Sequence, residues 1–169
     1  MRPLPLFCSL LLLFFAGCAG PRFYRYRYIP GRTATLENGL ATAPAQAPAR
    51  VRAAIEAGNR IARLPYAMGG GHGEQQGGLA TAYDCSGATS YVLREAGLLR
   101  GSMPSRGFRR YGEPGEGDWI TVYARRGHVF LVVAGLRYDT GWKPGPEGPG
   151  WTTRTRPLRG YRARHPSGW

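Results

Sequence analysis

Apolar and polar residues along the chain alternate in two distinct rhythms. "RVRAAIEAGNRIARL", residues 50–64, repeats apolar positions at Val51, Ala54, Ile55, Gly58, Ile61 and Ala62, with arginines largely on the other positions. That spacing predicts an amphipathic helix, and Pro65 ends it. A second helical stripe, Ala88, Tyr91, Val92 and Ala96, follows "AYDCSG" (residues 82–87) and stops at Gly97. Asp84 is its expected N-cap, which puts Cys85 in the first helical turn. Between the two stripes lies "PYAMGGGHGEQQGG", residues 65–78, which reads as a glycine loop able to approach another backbone closely. It lacks the Lys-Ser/Thr end of a phosphate-binding P-loop, so that reading is excluded. Further on the rhythm changes to short apolar runs. Asp118 to Tyr123 reads as a strand, and His128 to Thr140 as two strands around a tight turn near Gly135.

The N-terminal part has neither rhythm. Arg2 precedes an apolar run from Leu4 to Phe15, too short to span a bilayer, and then "FAGC", ending at Cys18. Small residues before a cysteine resemble the lipobox of bacterial lipoproteins. The resemblance implies an export signal over residues 1–18, a lipid on Cys18 and a mature chain that starts there. An ordinary cleaved signal peptide is the other reading, and both export the protein. Ala19, where an aspartate would retain a lipoprotein at the inner membrane, implies the outer membrane facing the periplasm in a host with two membranes. Residues 19–49 are expected to form a tether: "RFYRYRY" (residues 22–28), which can lie on an anionic surface, stack on bases or pair as an edge strand, then the Ala/Pro stretch "ATAPAQAPA" (residues 41–49). A single folded domain is expected over residues 50–169, and no internal repeat is visible.

Charge and cysteine usage narrow the chemistry. The net charge is +13 and almost entirely arginine, with Lys143 the only lysine, which suits an anionic polymer or surface. Nucleic acid is set aside, because the chain is exported and no nucleic-acid fold follows the basic-aromatic segment. Cys8 leaves with the leader, and a lipidated Cys18 has no free thiol. Cys85 is then the one thiol of an exported protein, in a compartment that oxidises thiols. A buried inert thiol and a catalytic one both account for it. The helix start favours the second. Unpaired N–H groups and the helix dipole stabilise a thiolate there and can hold an oxyanion. His128 is the candidate base, and an antiparallel hairpin turning at Gly135 brings Asp139 to the same end as His128. His165 is the rival orienter; His72, in the glycine loop, is expected to be solvated. Three scattered histidines show no metal-ligand spacing, so neither metal nor cofactor is expected.

Together these motifs have a familiar order: Tyr66-x-x-Gly69-Gly70, then Asp84-Cys85-Ser86-Gly87 opening a helix, then Gly117-Asp118-Trp119 and Gly127-His128-Val129 on strands. The order resembles the NlpC/p60 family of papain-like cell-wall cysteine peptidases, over about Val51 to Asp139. The resemblance implies an α+β papain-like fold, with N-terminal helices packed on a central antiparallel sheet and the nucleophile at a helix N-terminus. By residue, it implies Cys85 as nucleophile, His128 as base and Asp139 as the third, orienting residue. Tyr66, Asp84 and Ser86 would lie at the oxyanion and substrate side. It also implies a monomer acting on peptidoglycan, cleaving between D-glutamyl and a diamino acid, and held at the membrane through the N-terminal lipid. Ala67 and Met68 stand where the family often has Val and Trp, and the loop from Gly69 to Tyr83 is longer than usual. An amidase or acyltransferase on another amide or lipid, and a non-catalytic envelope-binding lipoprotein, are the alternatives.

Overall fold

The computed structural model describes residues 22–73, 79–141 and 147–169. The apolar leader, Cys18, Ala19, residues 74–78 of the glycine loop and Lys143 lie outside the described residues. In chain order the elements are β1 (Phe23–Tyr24), β2 (Thr35–Glu37), β3 (Leu40–Thr42), α1 (Ala49–Ile61), α2 (Cys85–Glu95), α3 (Ser105–Phe108), β4 (Glu113–Pro114), β5 (Ile120–Arg125), β6 (His128–Val133), β7 (Leu136–Asp139), β8 (Gly150–Thr152), β9 (Arg156–Pro157) and β10 (Arg162–His165). Six strands form one antiparallel sheet in the order β4-β10-β5-β6-β7-β8. This is an α+β arrangement with the helices ahead of the sheet in sequence.

Pleat alternation divides the sheet. Ile120, Val122 and Ala124 of β5, Val129, Leu131 and Val133 of β6, and Leu136 and Tyr138 of β7 join one core with Val51, Ile55 and Ile61 of α1 and Val92 and Leu93 of α2. The alternate residues Tyr123 and Phe130 belong to a second, smaller cluster with Tyr24 and Leu158. Two faces are therefore covered, which is why β5–β7 read as nearly continuous apolar runs. Gly58 of α1 is where the helix meets β8; a Cβ there would stand 2.5 Å from the Trp151 ring.

Element boundaries follow local chemistry. α1 ends at Ile61 rather than running to Leu64, because the chain turns at Arg63 with φ +73°. β5 starts at Ile120, two residues later than the pattern suggests, since Asp118 and Trp119 belong to the bend before it. The β6–β7 hairpin turns through Ala134 and Gly135, both at positive φ, as expected from Gly135.

The segment expected as a tether is packed onto the domain from residue 22 onward. β1 pairs with β9, Tyr24 opposite Arg156. The buried Tyr24 hydroxyl donates to the Gly135 carbonyl at 2.9 Å and accepts from the Arg137 N–H at 3.1 Å. Ala34, Ala41 and Ala47 are buried, and the Asn59 side chain bonds both backbone groups of Ala41 at 2.9 Å. The physical reason is size and parity. Alanines let the chain lie close on α1, and alternating aromatics give "RFYRYRY" a face to bury. Asn38-Gly39, with φ +49° and +80°, turns the β2–β3 hairpin; this Asn-Gly signal stands in the sequence, and the tether reading leaves it unused.

Tyr24→Phe tests this anchoring. It strands the buried Arg137 N–H and removes the bond to the Gly135 carbonyl, and should lower unfolding free energy by about 1–3 kcal/mol in a urea titration. An unchanged midpoint would mean that the segment contributes nothing to the fold.

Candidate active site

α2 begins as its sequence dictates. Asp84 is extended, with φ −90° and ψ 179°, and its Oδ1 accepts from the Gly87 N–H at 2.7 Å. Cys85 is consequently the first helical residue, partly exposed, with its thiol at the positive end of the helix dipole. The glycine loop is fastened against this helix start. Tyr66 and Tyr83 bridge in parallel, the Asp84 N–H donates to the Gly70 carbonyl at 3.1 Å, and the Gly69 N–H donates to Asp84 Oδ2 at 3.0 Å. The approach is so close that a Cβ on Gly87 would stand 2.0 Å from the Gly70 carbonyl oxygen. The glycine after Cys85-Ser86 is therefore required by the backbone of the loop.

His72 is not solvated as expected. Its Nε2 lies 3.1 Å from Asp84 Oδ1 and 3.0 Å from Ser86 Oγ, and the Ser102 hydroxyl is 2.8 Å from its Nδ1. Burial opposes ionisation of Asp84, but the Gly87 N–H, the Ser86 hydroxyl and His72 outweigh it and hold the carboxyl below its ordinary range. Asp84 is thus an anion that pins the loop and helix start together, and its oxygens are occupied. Ser86 is buried beside it and donates to Asp84 Oδ1 at 3.0 Å.

The β6–β7 hairpin supplies the other side. His128 is the first residue of β6 and Asp139 the last of β7. Leu131 pairs with Tyr138; continued outward, this register sets Asp139 opposite Phe130, so His128 is its diagonal neighbour on the same face. The His128 Nε2 lies 2.8 Å from Asp139 Oδ1. Cys85 lies close enough to the imidazole to favour its charged form, as Asp139 does. Cys85, His128 and Asp139, read from one helix and two strands of the sequence, are thus brought together in that order. An acceptor-only carboxylate at Nε2 puts the proton of neutral His128 there and leaves Nδ1 free to accept a proton. Burial disfavours the imidazolium, and Asp139 and Cys85 more than offset it, raising the pKa of His128 above 6.5.

Asp139 has no solvent exposure at its side chain. Oδ1 takes His128 and the Thr140 N–H at 2.8 Å; Oδ2 takes Arg156 Nη1 at 2.8 Å, with Arg137 Nε at 3.6 Å. Tyr161 stands edge-on to the His128 ring, centroids 6.3 Å apart, and its hydroxyl accepts from Arg156 Nη2 at 3.0 Å. The rival orienter His165 is elsewhere. It bonds the Gly115 carbonyl at 3.2 Å and lies 3.7 Å from Glu113. Tyr66 is half-buried beside the Cys85 end. Burial, then the charges of Cys85 and Asp84, push its phenol pKa up, so it stays a hydroxyl donor.

Sequence reasoning missed Arg137, Arg156, Tyr161 and Ser102. Arg137 had a signal, since it shares the strand parity of Asp139. Arg156, Tyr161 and Ser102 had none, because their partners are distant in sequence. Among the described residues no group of three or more His, Cys, Asp and Glu is placed to hold a metal, and no helix is long and apolar enough to cross a membrane.

No protein-family model matches the chain, and no curated protein matches it. Among solved structures it is similar to an NlpC/P60 family protein from Bacillus cereus, at 19% identity and a TM-score of 0.49, over 70% of this chain and 40% of that one. The chain therefore spans less than half of that protein's length.

Two outcomes are expected from this geometry. The folded pKa of His128 exceeds its ordinary 6.5, so its stabilising contribution is complete below that pH and is lost as pH rises through the folded value. NMR titration of the His128 ring should give a midpoint above 6.5 in the native chain and a lower one in Cys85→Ala; a midpoint at or below 6.5 in both contradicts the pairing. Asp139→Ala removes the counter-charge of the buried Arg137 and should cost about 3–5 kcal/mol by denaturant titration.

Proposed function

We propose that the chain is a cysteine peptidase of the bacterial envelope that hydrolyses peptide bonds in peptidoglycan stem peptides. The observation that carries the reading is the half-buried His128 imidazole, hydrogen-bonded to Asp139 through Nε2 and close enough to Cys85 for the two to interact. The ordered motifs Asp84-Cys85-Ser86-Gly87 and Gly127-His128-Val129 support the same assignment.

The chemistry follows from those atoms. Nδ1 of His128 takes the Cys85 proton, and Asp139 stabilises the resulting imidazolium. The thiolate sulfur attacks the carbonyl carbon, and its oxygen becomes an oxyanion. The Cys85 N–H at the helix start and the Tyr66 hydroxyl are the donors suited to hold it. Collapse breaks the C–N bond, His128 protonates the leaving amine, and a thioester remains. Water, deprotonated by His128, attacks the thioester; the acid leaves and the Cys85 thiol is restored. The bond is the one between D-glutamyl and a diamino acid. Asp84 and Ser86 act by fixing the loop and helix start that carry Tyr66 and Cys85.

Location and partners belong to the same proposal. Cys18 carries a lipid that holds the protein at the membrane, facing the periplasm from the outer membrane in a two-membrane host. The arginine excess draws the monomeric domain toward the anionic wall, an attraction that weakens with salt.

The test incubates the full chain and its Cys85→Ala variant with isolated peptidoglycan and identifies soluble products by mass spectrometry. Fragments with a new D-glutamyl carboxylate and a new diamino-acid amine are expected from the native chain alone. Fragments from both chains, or from neither, overturn the assignment. Tyr66→Phe should retain cleavage with a turnover number reduced by roughly 10- to 1,000-fold, reflecting one lost oxyanion donor.

A further inference from the structure

Beside the Asp139–Arg156 pair the surface opens into a cavity of about 730 Å³. Five arginines line it, namely Arg125, Arg137, Arg154, Arg156 and Arg159, together with Tyr161, and no acidic side chain is among the described residues of its wall. Three of these arginines have fixed positions. Arg156 is held by Asp139, the Gly141 carbonyl and Tyr161. The guanidinium carbon of Arg125 lies 4.9 Å from the Tyr161 ring centre. Arg137 is only 2% exposed, and its guanidinium lies between the rings of Tyr24 and Phe130, at 5.7 and 5.9 Å.

Arg137 is the telling residue. Its Nη1 is buried without a hydrogen-bond partner among the described residues, and its Nε reaches Asp139 only as an ion pair at 3.6 Å. A buried guanidinium with an unused donor is costly unless something accepts from it. Burial accordingly depresses the pKa of Arg137, with the charge of Arg156 also acting against it and that of Asp139 supporting it. Crowding like charges around a concave wall carries a further cost, which a ligand of opposite sign relieves.

We propose that this cavity, which adjoins the His128–Asp139 pair, is an anion-binding site for a ligand carrying phosphate groups. Guanidinium groups match phosphate oxygens through paired N–H donors, and several together suit a ligand with more than one negative charge better than a lone carboxylate. The cavity is within the size range of sites for small organic ligands, so a headgroup or a diphosphate fits it better than a single inorganic ion. Arg156 touches both the cavity and Asp139, so an occupant would sit one residue from the His128 pair. The site does not depend on the peptidase reading, since its arginines and their test concern binding alone.

The probe is inorganic pyrophosphate, titrated calorimetrically into the full chain at fixed low ionic strength. Saturable one-to-one binding is expected, unchanged in Cys85→Ala. In Arg125→Gln/Arg159→Gln, which alters two exposed side chains, it should weaken by at least about tenfold. Arg106→Gln/Arg110→Gln removes the same charge outside the cavity and should bind like the native chain. Monomeric dihexanoyl phosphatidylglycerol and phosphatidylcholine form the second arm. Binding of the phosphatidylglycerol through the same arginines identifies a lipid headgroup as the source; binding of pyrophosphate alone identifies a soluble or polymer-borne phosphate. No binding of either probe, or equal weakening by the Arg106/Arg110 pair, overturns the proposal.

Discussion

A carboxylate without solvent organises this molecule. Asp139 is closed off from water, and an ion in that position persists only if its oxygens are fully occupied by donors. Besides the neighbouring Thr140 N–H, its side-chain partners come from three places: His128 across the hairpin, Arg137 two residues back on the same strand, and Arg156 on β9. Each partner binds others in turn. Arg156 pairs in register with Tyr24, and Tyr24 bonds the Gly135 carbonyl in the β6–β7 turn and the Arg137 N–H on β7. The N-terminal segment, the hairpin and the C-terminal strands must therefore assemble together around one charge. Only then is the His128 ring fixed, with Nε2 on Asp139 and Nδ1 left free.

A second anion, Asp84, plays a matching part across the cleft. It caps the helix that begins at Cys85, accepts from the glycine loop and receives His72 and Ser86. One carboxylate thus stands beside the thiol and the other beside the imidazole. Their hydrogen bonds hold the helix start and the His128 ring in place, which is the rigidity that the proposed chemistry needs. The glycines serve the same end. Gly70 and Gly87 permit a backbone approach that no side chain allows, so the loop bearing Tyr66 can sit against the helix start.

The candidate site was legible where its chemistry is local. Asp84 as N-cap, Cys85 in the first turn, and His128 and Asp139 at one end of a hairpin follow from capping preference, helical period and the parity of a two-residue turn. Those rules act over a few residues, and the structure keeps each of these placements. Parity also carried Arg137, two positions from Asp139, although charge in an apolar strand reads more readily as an edge than as a buried ion. The Asn38-Gly39 turn was equally readable, and composition masked it: alanine, proline and arginine suggest a solvated tether.

Sequence by itself determined the α+β class, the helix that begins at Cys85 and the hairpin that carries His128 and Asp139, because period, capping and turn geometry are properties of neighbouring residues. Tertiary structure alone decided that residues 22–48 belong to the fold, that His72 turns inward to Asp84 while His165 stands apart, and that Arg156 and Tyr161 complete the surroundings of His128 and Asp139. These depend on contacts between residues distant in the chain, and no local preference encodes which arginine among so many will meet a buried carboxylate.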